Sequence, residues 1–198
     1  FPHTAEPGTR WAYHTADTYI LGTALNAILK SGNPNADVYD DLVRPVWEAL
    51  NLSPVTRGTR RSYDATRQPF MGWGLTLHRD DLARIGVWLL TGDGKVAGRQ
   101  WLDPAMFAAA MQRDPNDRGL EAGAPDFRYN NSYWAWNAKT YLGCREDTWI
   151  PFLSGFGGIS LVLLPNGTVY YYVSDGQQFA WGAAVRASNA IKQFCRKA

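Results

Sequence analysis

Tyr13 lies just ahead of a predicted helix and carries a side chain that can transfer a proton. A phenol has an ordinary pKa of ~10, so it acts as a base near neutral pH only where neighbouring cations favour the phenolate. The structural alternative is that Tyr13 packs against the start of the helix as an apolar staple. The residue is therefore a candidate base whose role depends on the segments around it.

A glycine-rich segment, residues 154–158, offers a second set of polar groups. The Ser154 hydroxyl could bind a substrate, and the structural alternative is a glycine bulge at the start of a strand. The glycines lead into a predicted strand, whereas a phosphate-binding or dinucleotide-binding loop needs them between a strand and a helix. Trp134 and Trp136 lie on an earlier predicted strand, and we expect one to face the core and the other a cleft. The sequence predicts no cofactor.

The histidines and cysteines do not form a metal motif. His3, His14 and His78 have neither HExxH nor i, i+4 spacing, and His78 is predicted to cap a helix. Cys144 and Cys195 are far apart and make no CxxC pair, so they are buried thiols or one disulfide. No metal site is predicted.

The composition excludes several classes of partner. Lys and Arg number 20 against 18 Asp and Glu, and a net charge of +2 does not favour nucleic acid. The most apolar stretch, residues 159–164, is far shorter than the ~20 residues of a membrane span. The chain has 9 Trp, 10 Tyr and 8 Phe, which indicates a heavy core or an aromatic cleft.

Helices are followed by strands along the chain, which predicts an α/β (α+β) fold. A mainly helical lobe occupies residues 1–128, and an antiparallel meander with a closing helix occupies residues 129–198. The predicted helices are 17–29, 36–50 with a kink at Pro45, 77–90, 103–111 and 181–194. The predicted strands are 133–136, 149–152, 159–164 and 169–173. The segment 51–72 is predicted to be a polar, arginine-rich loop, and Asn166-Gly167 a hairpin turn with positive φ at both residues. Three or four strands under one helix would leave one sheet face bare, which suggests that further sequence completes the fold.

Three segments together resemble the penicillin-binding-protein-like serine hydrolases, which include class C β-lactamases, related esterases and 6-aminohexanoate-oligomer hydrolases. The first segment is EPGTRWAYHT at residues 6–15, similar to the family's PGxxWxYSN stretch. The second runs from GWGL at 72–75 to DLARIG at 81–86, similar to GGLxSTxxDLARFG. The third is LSGFGG at 153–158, where the family has KTG or HxG. Their order and spacing agree with the family over nearly all of the chain.

The resemblance implies roles for individual residues. Tyr13 would be the proton-transferring base, and the N–H of Phe156 would be one oxyanion donor. Thr15, Ser154 and Gly155 would contact the substrate, as would whichever of Trp134 and Trp136 faces the cleft. The expected reaction is hydrolysis of a small ester or amide through an acyl-enzyme, of the carboxylesterase, β-lactamase or amidase type.

Two positions depart from the family pattern. Leu153 replaces the Lys or His that favours a substrate carboxylate, and Thr15 replaces the usual Asn or Ser. Both changes favour a short ester or an amide over a penicillin as the substrate.

The family's Ser-x-x-Lys nucleophile motif is absent from these 198 residues. The residues three positions before the five lysines are Ala27, Gly92, Trp136, Asn189 and Phe194. We therefore expect this to be the C-terminal part of a hydrolase, inactive alone and completed by an N-terminal segment, either in the same polypeptide or as a separate chain. Relatives are often exported, which suggests a periplasmic or secreted protein. The alternative function is a non-catalytic peptidoglycan-binding or sugar-binding pseudoenzyme.

Overall fold

The computed structural model describes residues 5–179 and 181–197. Contacts within the chain divide it into two compact units. The smaller unit is Ala12–Arg84, and the larger unit combines Phe1–Trp11 with Ile85–Ala198. The boundary predicted from the sequence at residue 128 marks the change from helices to strands. It is a different kind of division from these units and remains a prediction.

The smaller unit is helical. Its elements are α1 (Thr15–Gly32), a π-helix (Val38–Val43), α2 (Arg44–Ala49), a 3₁₀ turn (Pro54–Arg57) and the first half of α3 (Arg79–Thr91). The single kinked helix predicted over residues 36–50 is wrong, because a wide π turn precedes α2 and places Pro45 within the first turn of α2. Proline is tolerated there because the first N–H groups of a helix have no partner within it.

The segment after α2 is tied down by one arginine. Arg61 lies 2.7 Å from Oδ2 of Asp37 and 2.9 Å from Oδ2 of Asp40. Asp37 also caps the π-helix by accepting hydrogen bonds from the N–H groups of Tyr39 and Asp40. Burial alone would raise the pKa of Asp37, but the bond from Arg61 and the backbone bonds lower it below its ordinary value. The polar loop predicted here is therefore anchored to the π-helix by partly buried ion pairs.

One face of α1 is apolar and exposed. The sequence predicts Ile20, Leu21, Leu25 and Ile28 on the inner face of an amphipathic helix, yet in the structure these side chains face solvent, and Ile28 is 67% exposed. The helical spacing is confirmed, whereas the expectation of burial is not met in this unit.

Helix α3 begins with the predicted cap. The carboxylate of Asp81 accepts a hydrogen bond from the N–H of His78 at 3.0 Å, which is half of a capping box. The same buried carboxylate accepts bonds from the N–H and the hydroxyl of Ser53. Burial would raise the pKa of Asp81, but the bonds from Ser53 and His78 outweigh it and hold the pKa below its ordinary value. Asp81 thus joins the loop after α2 to the start of α3.

The Asp81→Ala variant is expected to unfold with a free energy lower by about 1 to 3 kcal/mol, because three hydrogen bonds from Ser53 and His78 to the buried carboxylate are lost. The depressed pKa makes this contribution fully present above the unfolded pKa of ~3.9 and lost as the pH falls through the folded pKa. Urea unfolding should therefore show that the difference in unfolding free energy between wild type and variant is smaller at pH 3 than at pH 7. Asp80→Ala, at an exposed neighbouring carboxylate, is the control; equal losses in both variants would contradict the assignment.

The larger unit contains a six-stranded antiparallel sheet in the order β3-β4-β5-β6-β7-β8. A short hairpin, β1 (Lys95–Val96) and β2 (Arg99–Gln100), and helix α4 (Pro104–Ala110) precede the sheet. The sheet strands are β3 (Leu120–Glu121), β4 (Phe127–Asn130), β5 (Tyr133–Asn137), β6 (Trp149–Gly155), β7 (Ile159–Leu163) and β8 (Val169–Tyr172). A short helix α5 (Lys139–Leu142) joins β5 to β6, and α6 (Gly182–Ile191) follows the sheet.

Both faces of this sheet are packed by helices. On one face, Val185 of α6 joins Ile150, Phe152 and Val162 in a core cluster. On the other face, Gly86 of α3 lies so close to Val169 that an added Cβ would fall 2.4 Å from its Cγ1. The expectation of a bare second face was wrong because it paired the meander with α6 alone and did not place α3 against the sheet.

The turn between β7 and β8 has its own geometry. The N–H of Gly167 donates to the carbonyl of Leu164, with Pro165 and Asn166 between them. Only Gly167 has a positive φ, of 86°, so the prediction of positive φ at Asn166 is wrong. Proline holds φ near −65° and favours an ordinary turn with a following left-handed glycine.

Asn166 also reaches helix α6. Its buried amide group donates to the carbonyls of Ser188 at 3.1 Å and Lys192 at 2.8 Å, and its Oδ1 accepts from the N–H of Thr168. The turn residue therefore caps the C-terminal end of the closing helix.

The two cysteines form a disulfide, with Cα atoms 5.3 Å apart. Beside it, the N–H of Arg145 donates to the carbonyl of Arg196 at 2.8 Å, and Cys144 pairs with Lys197 in a β-bridge. The chain end is thereby fastened to the turn after α5. Of the two alternatives left open by the sequence, the structure has the disulfide.

Within residues 5–179 and 181–197, no helix combines the length and the apolar character needed to cross a bilayer.

Candidate active site

Tyr13 lies directly before α1 and is 61% exposed. The N-cap of α1 is His14, so the position that a staple residue would contact is Thr18, which is not apolar. The exposure and the missing apolar partner argue against the staple alternative. A phenol at this point is open to substrate.

Thr15, the first residue of α1, contacts the second of the three motif segments. A Cβ added at Gly72 would lie 3.2 Å from the Thr15 methyl carbon. Further along α1, a Cβ at Gly22 would fall 2.1 Å from Cγ of Met71, the residue before Gly72. The glycines of these two segments are therefore required by close packing, and this packing brings Thr15 beside Gly72.

An aromatic group that the sequence does not reveal lies next to this contact. Trp73 stacks on Phe70 with ring centroids 5.1 Å apart, and the Arg60 guanidinium lies 5.2 Å from the centroid of Trp73. Tyr19 of α1 contacts Phe70 at 5.7 Å. Arg60 and Phe70 belong to a segment without hydrophobic periodicity, so the sequence does not predict that they are neighbours. In the structure, the Phe70 N–H donates a hydrogen bond to the Arg60 carbonyl and holds the two residues together.

The third segment forms the tip of the β6–β7 hairpin in the larger unit. Ser154 pairs with Ser160 in register, Gly155 pairs with Ile159, and Phe156 is 92% exposed at the turn. Among the described residues, no acceptor takes a hydrogen bond from the Phe156 N–H. This free N–H is the kind of donor that an oxyanion needs, and the exposed Ser154 stands two residues before it.

The two glycines after Phe156 hold the tip in place. Gly157 and Gly158 have φ of 89° and 99°. Their carbonyls accept hydrogen bonds from the N–H groups of Gln177 and Ser174, at 3.0 and 3.2 Å. A Cβ at Gly158 would lie 2.6 Å from the Gln178 carbonyl, so a side chain there would push the two segments apart. The segment forms a three-residue hairpin turn, residues 156–158, in which both glycines have positive φ.

Trp134 and Trp136 share one face of the sheet, and both pack against the core cluster below α6. The expectation that they face opposite ways is wrong, because residues two apart on a strand point to the same side. Trp136 also lines an open aromatic cavity, whereas Trp134 packs against Trp11 with centroids 4.8 Å apart.

Two other tyrosines are unsuited to act as bases. Burial raises the pKa of Tyr133 to about 12, and burial is the main cause that raises the pKa of Tyr39. Both phenols stay protonated near neutral pH. The described residues also contain no group of three or more His, Cys, Asp or Glu side chains that could hold a metal ion.

The candidate residues thus fall into two groups, one in each unit. Tyr13 and Thr15 belong to the smaller unit, and Ser154, Gly155 and Phe156 belong to the larger unit.

Among solved structures, the fold of this chain has a known counterpart. No protein-family model matches the sequence, and no curated protein matches it either. A solved structure from Bacillus anthracis, provisionally named a 6-aminohexanoate-dimer hydrolase, superposes with a TM-score of 0.61 at 19% identity, over 96% of this chain. This chain has a β-lactamase-like fold.

The chain spans 45% of the length of that hydrolase. The likeness extends over nearly all of this chain and therefore includes the three motif segments. At this level of identity the likeness concerns the fold, and the chemistry of the site is a matter for proposal.

Proposed function

We propose that this chain is part of a serine hydrolase that cleaves an ester or an amide through an acyl-enzyme. The observation that carries the proposal is the β-lactamase-like fold over 96% of the chain, together with an exposed tyrosine and a free backbone N–H at two of the motif segments. The name of the solved protein, a 6-aminohexanoate-dimer hydrolase, agrees with a hydrolytic reaction.

The nucleophile is the serine of a Ser-x-x-Lys segment outside these 198 residues. Its Oγ attacks the carbonyl carbon of the substrate while its proton passes to Tyr13, the base that the family resemblance implies. The Phe156 N–H donates to the oxyanion of the tetrahedral intermediate. The tyrosine then gives the proton to the leaving alcohol or amine, and water hydrolyses the acyl-enzyme by the same proton path. Thr15 and Ser154 contact the substrate.

The preferred substrate is a short ester or a small amide. Leu153 is partly buried on β6 and carries no charge for a substrate carboxylate, so nothing at this position favours a penicillin. Hydrolysis of p-nitrophenyl butyrate is expected to be faster than that of a chromogenic cephalosporin, measured as kcat/KM with the longest natural polypeptide that contains this chain. The reverse order would overturn the preference.

Covalent labelling tests the acyl-enzyme directly. The same polypeptide, or this chain together with a separately encoded partner, is treated with a fluorophosphonate and examined by denaturing mass spectrometry. A single added probe mass on a serine of a Ser-x-x-Lys segment supports the proposal. No labelling, with saturable quenching of tryptophan fluorescence by a peptidoglycan fragment, would support the non-catalytic alternative instead.

We also propose that the protein functions in the periplasm or outside the cell. The disulfide between Cys144 and Cys195 supports this, because such bonds persist in oxidising compartments.

A further inference from the structure

An aromatic cavity of about 260 Å³ opens in the larger unit between the strands and the start of α6. It is lined by Phe127, Trp136, Tyr141, Phe179, Trp181 and Gly182. Trp181 is almost fully buried and belongs to the core, whereas Phe179 is 50% exposed and Tyr141 is 38% exposed. The cavity therefore has a fixed aromatic floor and accessible aromatic sides.

The aromatic rings hold one another in place. Trp136 contacts Tyr141 with centroids 5.1 Å apart and meets Trp181 edge-on at 5.4 Å. Gly182 lets the Tyr141 ring lie against the helix start, since a Cβ there would be 3.1 Å from the Tyr141 hydroxyl oxygen. Rings arranged in this way present a preformed surface to a flat apolar group.

A second cavity of about 370 Å³ shares Tyr141 and is polar. Arg186 and Lys197 line it, and the Arg186 guanidinium lies 4.5 Å from the centroid of the Tyr141 ring. Both cations are exposed, and the ion pairs among the described residues involve other cations. Asn189 lines the same cavity, and its Oδ1 already accepts from the N–H groups of Phe194 and Cys195, which leaves its NH₂ group as a donor.

Two links hold the backbone of Lys197 near Cys144. The disulfide and the β-bridge between Cys144 and Lys197 fasten the chain end beside α5. Lys197 therefore lies near α5, whose residue Tyr141 lines both cavities.

We propose that the two cavities together bind a small aryl carboxylate. The flat ring occupies the aromatic cavity, and the carboxylate accepts charge-assisted hydrogen bonds from Arg186 and Lys197, which line the cavity that shares Tyr141 with it. A neutral aromatic compound would make no charge-assisted hydrogen bond to Arg186 or Lys197, and a simple anion would make no contact with the aromatic rings. This site contains neither Tyr13 nor Phe156 and does not rest on the proposed hydrolysis.

Isothermal titration of the full chain with 2-naphthoate and with its neutral counterpart 2-naphthamide tests the site. We expect naphthoate to bind at least about fivefold more tightly, with an affinity that falls as salt is added. Arg186→Gln should weaken naphthoate binding about tenfold, equivalent to about 1.4 kcal/mol, and leave naphthamide binding unchanged. Arg196→Gln, at an exposed arginine that lines neither cavity, is the charge-matched control and should change neither affinity.

A second variant tests the aromatic half. Gly182→Val places methyl groups where Tyr141 lies and should abolish binding of both compounds, and Gly182→Ala should weaken both if the valine variant fails to fold. Equal binding of naphthoate and naphthamide, no binding of either, or an unchanged naphthoate affinity in Arg186→Gln would overturn the proposal. Binding of a neutral N-acetylglucosamine oligomer in competition with naphthamide and independent of Arg186 would also overturn it and indicate a sugar site.

Discussion

Replacement of Tyr13 by phenylalanine is expected to lower kcat for ester hydrolysis by a factor of about 10² to 10⁴ in the proposed serine hydrolase. The phenol is exposed at the start of α1, and its only difference from phenylalanine is the hydroxyl that we propose accepts and returns the serine proton. Loss of that hydroxyl removes proton transfer and leaves the apolar contacts of the ring. The measurement is kcat and KM with p-nitrophenyl butyrate, and KM should change much less than kcat.

Tyr63→Phe is the matched control for this experiment. Tyr63 lies in the same unit and is 96% exposed, so the same substitution there should leave kcat unchanged. A Tyr13→Phe enzyme whose kcat stays within a few-fold of wild type would contradict the assigned base, while fluorophosphonate labelling would still report separately on the acyl-enzyme.

Loss of the disulfide is expected to lower the free energy of unfolding by about 2 to 4 kcal/mol. Cys144 and Cys195 are 51 positions apart, and joining residues at that separation removes much conformational freedom from the unfolded chain. The segment around Cys195 also loses the restraint that keeps Lys197 beside α5. Urea unfolding followed by tryptophan fluorescence, with and without reductant, measures the change.

The double variant Cys144→Ser, Cys195→Ser separates the bond from side effects of the reductant. It should be destabilised to the same degree as the reduced wild type and should be insensitive to reductant. Equal stability of oxidised wild type and double variant would refute this prediction.

The sequence predicts the elements best where local chemistry decides them. The cap of α3 at His78 and Asp81 is confirmed, as is the cap of α4, where Asp103 accepts from the N–H of Met106 at 2.9 Å. Caps are readable because the side chain and the N–H groups it satisfies lie within one turn. Strands β5 to β8 are predicted for a similar reason, since each is a run of aromatic or β-branched residues.

The rest depends on contacts between distant residues. The bonds from Arg61 to Asp37 and Asp40 join positions more than twenty residues apart, so a segment that looks like a plain loop is anchored. Strands β3 and β4 are not predicted from the sequence. Strand β3 has only two residues and is defined by its pairing with β4. The place of α3 against β8 through Gly86 is equally invisible without the fold.

The candidate site divides in the same way. Tyr13, Ser154 and Phe156 are found by motif, and their exposure was not predicted from the residues alone. Arg60 beside Trp73 and Arg186 beside Tyr141 are found only in the structure, because nothing in the spacing of these residues pairs the cation with its ring.

The contacts of Asn166 have a consequence for how the larger unit opens. A single buried side chain binds the β7–β8 turn through Thr168 and the end of α6 through Ser188 and Lys192. The turn cannot loosen without uncapping the helix, and the helix end cannot fray without freeing the turn. Hairpin and helix end therefore form one cooperative unit of local unfolding, whose backbone amides exchange with solvent hydrogen together and not separately.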